Sequence, residues 1–282
     1  METINTDILD KVLSKKELRN LDRDIAKKIL RKDFPYKKYK DAKKKSFNPR
    51  SSETKALIKE LRRQLRTVHG VFYNDTLTEK KKMKVLEELP STKVLKDVLS
   101  MHVSTKERIH EAPFLYKQIQ DHYDGYNTIC DIGCGYNPLF FVDDTFGTNI
   151  EDIYFTDIGD DDITFLSNIY DAYGESYIGK ARNMINEEHQ EEVYNDIQKY
   201  DVCFCFKLFD SLEYLERGIT AKILPRLLTL MKKGVIASFS KRTVSGKNFI
   251  ETERYWFKDI LDSEEISYEV IETKNEEYFL IS

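Results

Sequence analysis

The chain has 282 residues, enough for one large α/β domain with an appendage or for two modest domains. Its 40% hydrophobic and 33% charged residues are too apolar for a disordered chain and too charged for a membrane bundle. No apolar run reaches the roughly 20 residues of a bilayer span, METINTDILDKV lacks the order of a signal peptide, and four Cys suit a reducing compartment, so the chain reads as soluble and cytoplasmic.

The net charge of -4 conceals a split. Residues 1–110 hold 29 Lys+Arg against 16 Asp+Glu, and the remainder 16 against 33. A basic segment beside an acidic one suits a polyanionic partner, although solvated Lys-rich helices would give the same count. Apolar residues from Thr6 to Ile29 recur at helical spacing and predict two helices broken near Ser14. Phe34 to Pro49 carries Lys37, Lys38, Lys40 and Lys43 to Lys45 and reads as a short helix or a basic loop. From Ser52 to His69, Leu57, Leu61, Leu65 and Val68 share a helical face, leaving Lys59, Arg62, Arg63 and Arg66 as surface charge. Thr78 to Leu89 and Ser91 to Leu99 predict two more helices. We therefore read residues 1–105 as an all-helical basic module and 106–282 as a second domain.

That second domain is read as α/β. Short β-rich runs at 128–134, 153–158, 176–180, 201–206 and 234–240 alternate with helical stretches, which predicts a parallel sheet with crossover helices. The runs 267–271 and 278–282 flank a hairpin signal that leaves the last strand antiparallel.

Asp131-Ile-Gly133-Cys-Gly135-Tyr-Asn-Pro138 follows the first strand. Glycines at such a bend let the backbone approach a ligand, and the helix that follows offers unpaired N–H groups. Pro138 replaces the third glycine of a dinucleotide fingerprint, which disfavours a nicotinamide dehydrogenase. Asp131 would serve the ammonium of a methionyl group better than a pyrophosphate. Asp157, ending the next strand, can take ribose hydroxyls.

His102-Val-Ser-Thr-Lys-Glu-Arg108, upstream of the bend, resembles the His-Ala-Ser-Thr-Arg-Glu-Arg signature of the Arm family, the aminoglycoside-resistance 16S ribosomal RNA methyltransferases. The stretch from Lys55 to Phe72 is similar to that family's basic helix, and Gly133 to Leu139 to its Gly-Leu-Asn-Pro-Leu loop. Phe206-Lys207-Leu208 with Leu212-Glu213, and Ser238 to Thr243, match further elements in the same order.

The resemblance implies a class I methyltransferase fold dependent on S-adenosyl-L-methionine (SAM). It has a Rossmann-like sheet, preceded by helices that dock on 16S rRNA in the assembled small ribosomal subunit, with no membrane or DNA partner. It implies methyl transfer to N7 of a guanine in the decoding region. By motif position Arg108 would hold the cofactor carboxylate, Asp131, Gly133 and Gly135 would line the methionyl moiety, Asp157 the ribose and Asn183 the adenine, with Leu208 also cofactor-binding. Lys207 and Arg242 would stand at the target base, with Phe206 and Phe209 as base platforms or as core. This chain departs from the family at Val103, Lys106, Asn183 and Lys241. The rival of another class is an RNA-binding or ribosome-assembly factor that kept the fold and lost turnover.

The remaining candidates read as structural. Cys203 and Cys205 share a strand face, Cys130 and Cys134 flank the bend, and no zinc spacing appears among the Cys and His. His102 reads as a structural hydrogen-bonder and Trp256 as packing a helix onto the sheet. Glu187, Glu188, Glu191 and Glu192 read as a solvated helix face.

Overall fold

The computed structural model describes residues 4–15, 18, 21, 23–32, 34–68, 78–142, 149–241 and 254–282. The chain divides into two compact units, Met1–Asp75 and Thr76–Ser282. The division falls thirty residues before the expected one at 105, because residues after Thr76 build the core of the second unit. The charge split narrows at this boundary but persists: residues 1–75 hold 21 Lys+Arg against 11 Asp+Glu, and the remainder 24 against 38.

The described part of the first unit is helical. Helices α1 (Thr6–Leu13), α2 (Arg23–Lys32) and α3 (Tyr36–Lys44) each pack on α4 (Ser52–Val68). The Asn5 carboxamide caps α1 by accepting the Ile8 N–H, and the chain breaks at Ser14 as the periodicity predicts. Residues 36–44, left open as helix or loop, are helix. Leu57, Leu61 and Leu65 are buried along one face of α4, and the Val68 side chain lies outside the described residues. Arg62 corrects the expectation of surface charge. Its Nε donates to Val12 O at 3.1 Å and its Nη2 to Lys11 O, so the guanidinium satisfies carbonyls at the end of α1.

In the second unit, α5 (Glu79–Glu87) and α6 (Thr92–Leu99) match two expected helices. The cap hydroxyls of Thr78 and Ser91 accept N–H groups of their first turns. The expected elements did not include α7 (Val103–Arg108) and α8 (Ala112–His122).

The sheet comprises β1 (Thr128–Ile132), β2 (Asp152–Asp157), β3 (Tyr177–Ala181), β4 (Val202–Phe206), β5 (Gly234–Ser240), β6 (Tyr268–Glu272) and β7 (Glu276–Ile281). They are ordered β3-β2-β1-β4-β5-β7-β6. The first five are parallel, and β7 runs antiparallel to both β5 and β6, as the terminal hairpin signal predicts. Alternation splits the core into two layers. Phe204 and Ile129 face α6, α8 and α9 (Asp160–Tyr173). Cys130, Cys203 and Cys205 face α10 (Glu187–Asp196), α11 (Leu208–Leu215), α12 (Thr220–Leu230) and α13 (Tyr255–Ser263). The Cys203 and Cys205 sulfurs lie 3.7 Å apart, and burial pushes both thiols up. Trp256 meets Phe239 edge-on at 6.0 Å, packing α13 on the sheet. No helix among the described residues is long and apolar enough to cross a membrane.

Candidate active site

Parallel strands bring their carboxyl ends to one edge, where an open α/β sheet ordinarily holds its ligand. Asp131, Asp157 and Lys207 all stand at or just beyond strand ends on that edge.

After β1 the chain turns sharply. The Gly133 and Cys134 N–H groups both donate to Thr156 O, at 2.8 and 3.0 Å, and Gly133 and Gly135 take positive φ of 68° and 51°. A Cβ on Gly133 would lie 2.8 Å from Leu208 Cδ1, and one on Gly135 would lie 2.8 Å from His102 Cε1. Only glycine leaves the bend open on both sides. His102 is thus a wall of the bend, fixed by a 3.0 Å contact between its Nδ1 and Ser104 Oγ. Burial lowers its pKa to about 4, so the ring is neutral at physiological pH.

Asp131 is buried. Its Oδ2 accepts from Asn137 Nδ2 at 2.7 Å, while Oδ1 has no hydrogen-bond partner among the described residues. Burial raises this carboxyl to about 7. A buried acceptor without a donor is costly in a native protein and marks a place where a donor belongs. Asp157 is half-buried; its Oδ2 accepts the Gly135 N–H at 2.9 Å, which ties the end of β2 to the bend, and burial raises its pKa.

Arg108 is buried, with Nε on Glu276 Oε1 at 2.9 Å, Nη1 on Asn137 Oδ1 at 2.9 Å, and its guanidinium 4.7 Å over the Phe206 ring. Tyr116 also donates to Asn137 Oδ1, at 2.8 Å. Burial disfavours the Arg108 charge, but the Glu276 carboxylate together with Tyr278 and Tyr116 outweighs this and holds its pKa up. Lys207 takes a left-handed backbone with φ of 56°, a strain that an L-residue tolerates only where its surroundings enforce it. Its N–H donates to Ser238 O at 2.9 Å, and its Nζ lies 2.8 Å from Glu107 Oε2 and 3.2 Å from Glu276 Oε1.

The structure therefore joins Arg108, Asp131 and Lys207 into one network through Asn137 and Glu276. Gly133 meets Leu208, and Gly135 meets Asp157. Asn183 Oδ1 accepts the Ile185 N–H at 2.9 Å, and the residue follows Arg182, whose N–H donates to Asp157 O. Arg242 lies outside the described residues. Phe209 is core, 5.6 Å from Phe257, and Phe206 is buried beneath Arg108. Among the described residues no three potential metal ligands converge.

No family model matches the chain. The 16S rRNA methyltransferase RmtF, solved in complex with S-adenosyl-L-homocysteine, superposes with a TM-score of 0.70 at 21% identity, over 100% of this chain and 99% of that one. The 16S rRNA methylase RmtB superposes at 0.66 with 21% identity, over 100% and 99%. The chain has the class I methyltransferase fold. In sequence, a 16S rRNA (guanine(1405)-N(7))-methyltransferase of Micromonospora rosea is 26% identical over 125 residues, 43% of this chain. The matched stretch spans 41% of that relative.

On this fold, sequence reasoning missed Glu276, Asn137 and Glu107. Glu276 gave no signal, because a Glu after a turn is ordinary. Asn137 sat inside the quoted loop, where a polar residue two positions from a glycine bend could have been weighed as the bridge it is.

Proposed function

We propose that the chain is a SAM-dependent methyltransferase acting on N7 of a guanine in the decoding region of 16S rRNA, with its basic helical part docking on the assembled small subunit. The observation that carries the cofactor reading is the Asp131 carboxylate oxygen, buried without a donor among the described residues beside the Gly133 bend and linked to Arg108 through Asn137. A methionyl group presents an ammonium and a carboxylate together, and this corner presents an acid and a guanidinium joined by Asn137. The fit is one of chemistry.

Asp131 would take the ammonium, Arg108 the carboxylate, Gly133, Gly135 and Leu208 the methionyl stem, Asp157 the ribose and Asn183 the adenine edge. When bound, SAM supplies an electrophilic methyl group. N7 of guanine has an exposed lone pair and loses no proton on methylation, so the protein needs no general base and acts by positioning and by excluding water. Lys207 and Arg242 are assigned to the target base, Arg242 on its motif alone. Duplex RNA is read chiefly by shape, and a helical part larger than a base pocket suits a folded subunit surface better than naked RNA. The names of the relatives, a guanine-N7 methyltransferase and 16S rRNA methyltransferases, support the same target.

The test is primer extension after borohydride and aniline cleavage at 7-methylguanine, on small subunits incubated with protein and SAM. A single new stop in the decoding region is expected on subunits and none on protein-free transcript. No stop on either, with SAM bound in titration, would favour the non-catalytic factor.

A further inference from the structure

Glu276 opens β7, opposite Ser240 on β5, and is fully buried. Its backbone is fixed by the hairpin end: Thr273 N–H donates to Glu276 O at 2.9 Å, and Lys241 N–H donates to the neighbouring Asn275 O at 2.8 Å. A buried carboxylate persists only with partners. Here Oε1 takes Arg108 Nε at 2.9 Å and lies 3.2 Å from Lys207 Nζ, while Oε2 accepts Ser238 Oγ at 2.8 Å. Burial works against its charge, yet Arg108, Lys207 and the Ser238 hydroxyl together hold it below its ordinary pKa.

The arrangement directs the guanidinium as well as neutralising it. Arg108 is gripped at Nε by Glu276, at Nη1 by Asn137, and across its face by Phe206. Glu107, on the same helix as Arg108, holds the far side of the Lys207 ammonium at 2.8 Å. Asn275 Nδ2, next to Glu276, reaches Glu107 O at 3.5 Å. The terminal hairpin thus closes on α7 around two cations that would otherwise sample many rotamers. Holding an arginine in its working orientation before a ligand arrives removes an ordering cost from binding.

We propose that Glu276 is a positioning residue: through Arg108 it sets the end of the site that takes the cofactor's amino-acid moiety, an inference resting on the cofactor reading above. The test uses calorimetric titration of the full chain with two nucleosides. S-adenosyl-L-homocysteine carries the amino-acid moiety, and 5′-methylthioadenosine lacks it.

Glu276→Gln should weaken homocysteine-nucleoside binding by about tenfold and change methylthioadenosine binding by less than about twofold. Ser238→Ala, which keeps every charge, should show a smaller loss with the same selectivity, and it carries the test if Glu276→Gln fails to fold. In an Arg108→Ala background, Glu276→Gln should cause no further loss, since its effect passes through the missing guanidinium. Equal losses for both nucleosides, or additive losses in the double variant, would overturn the proposal and leave the cofactor reading standing. Wild-type protein that binds neither nucleoside would overturn both.

Discussion

In the helical unit Arg63 reaches Glu60 at 2.7 Å with 65% of its side chain exposed, whereas in the sheet unit Arg108 reaches Glu276 at 2.9 Å with 3% exposed. The distances are alike and the energetics are not. Water screens the first pair and competes for both its partners, so it contributes about 0 to 1 kcal/mol. The second pair has surrendered its hydration, and removing one member strands the other in a low-dielectric core. An exposed pair of the first kind can be exchanged at little cost. The buried pair is committed to one arrangement, and Asp131, Asn137, Glu107, Lys207 and Ser238 are linked to it.

The largest effect expected from that difference is on Glu276→Ala. It leaves Arg108 and Lys207 buried without their shared carboxylate and should cost about 3 to 5 kcal/mol. Urea unfolding followed by tryptophan fluorescence isolates the measurement, because the single Trp of the chain, Trp256, packs in the sheet unit. A loss under about 1 kcal/mol would mean that water reaches the network after all and would erase the contrast.

Next in size is the pH response of Asp131. Its folded carboxyl keeps the proton up to about 7, while an unfolded Asp loses it near about 3.9. Between those values the folded state binds more protons. This group's contribution is thus fully present below about pH 4 and is lost as pH rises through 7. Asp131→Asn removes the response, so the stability of the variant relative to wild type should increase by about 2 kcal/mol from pH 5 to pH 8. The same variant should bind S-adenosyl-L-homocysteine more weakly at pH 8, where wild-type Asp131 is ionised for an ammonium. A stability difference that does not change with pH would show that Asp131 is solvated.

How far such features can be read from sequence depends on how far apart the partners are. The helices of the first unit and the strands of the second follow from short-range periodicity, and so they were legible. Arg62 was misread because its partners are carbonyls fifty residues away: helical spacing placed it on a polar face, but not against the end of α1. Glu276 bonds Arg108 across 168 residues, and the hairpin signal at 272–276 said where the chain turns without saying what the turn would meet. The glycine bend and the strand ends located Asp131, Asp157 and Lys207 on the carboxyl edge of the sheet, and the family resemblance singled out Arg108. The partner that binds two of them together is an ordinary Glu in an ordinary hairpin, and tertiary closure alone reveals it.

Arg62 supplies an intermediate case within the helical unit. Arg62→Ala removes charge-assisted bonds to the Lys11 and Val12 carbonyls and should destabilise that unit by about 1 to 2 kcal/mol, measured by helical circular dichroism. Arg62 behaving like Arg63, with no measurable change, would make the whole α4 polar face equivalent.

The smallest expected change in stability accompanies a change in binding. Arg63 and Arg66 are both exposed on α4, so reversing both to Glu should move the unfolding free energy by less than about 1 kcal/mol. If the helical part docks on ribosomal phosphate as proposed, those same two side chains lie where mobile counterions are displaced. Each phosphate that the variant no longer neutralises should then flatten the slope of log affinity against log salt by about 0.7 to 0.9. The double variant should bind small subunits more weakly, with a shallower salt dependence, while its affinity for S-adenosyl-L-homocysteine stays that of wild type, since every residue assigned to that ligand lies in the sheet unit. Arg62 is left intact in this design, because reversing it would confound docking with the capping of α1. A stable double variant with wild-type affinity and salt slope would move the docking surface off α4 and leave Lys43 to Lys45 as the next basic group to reverse.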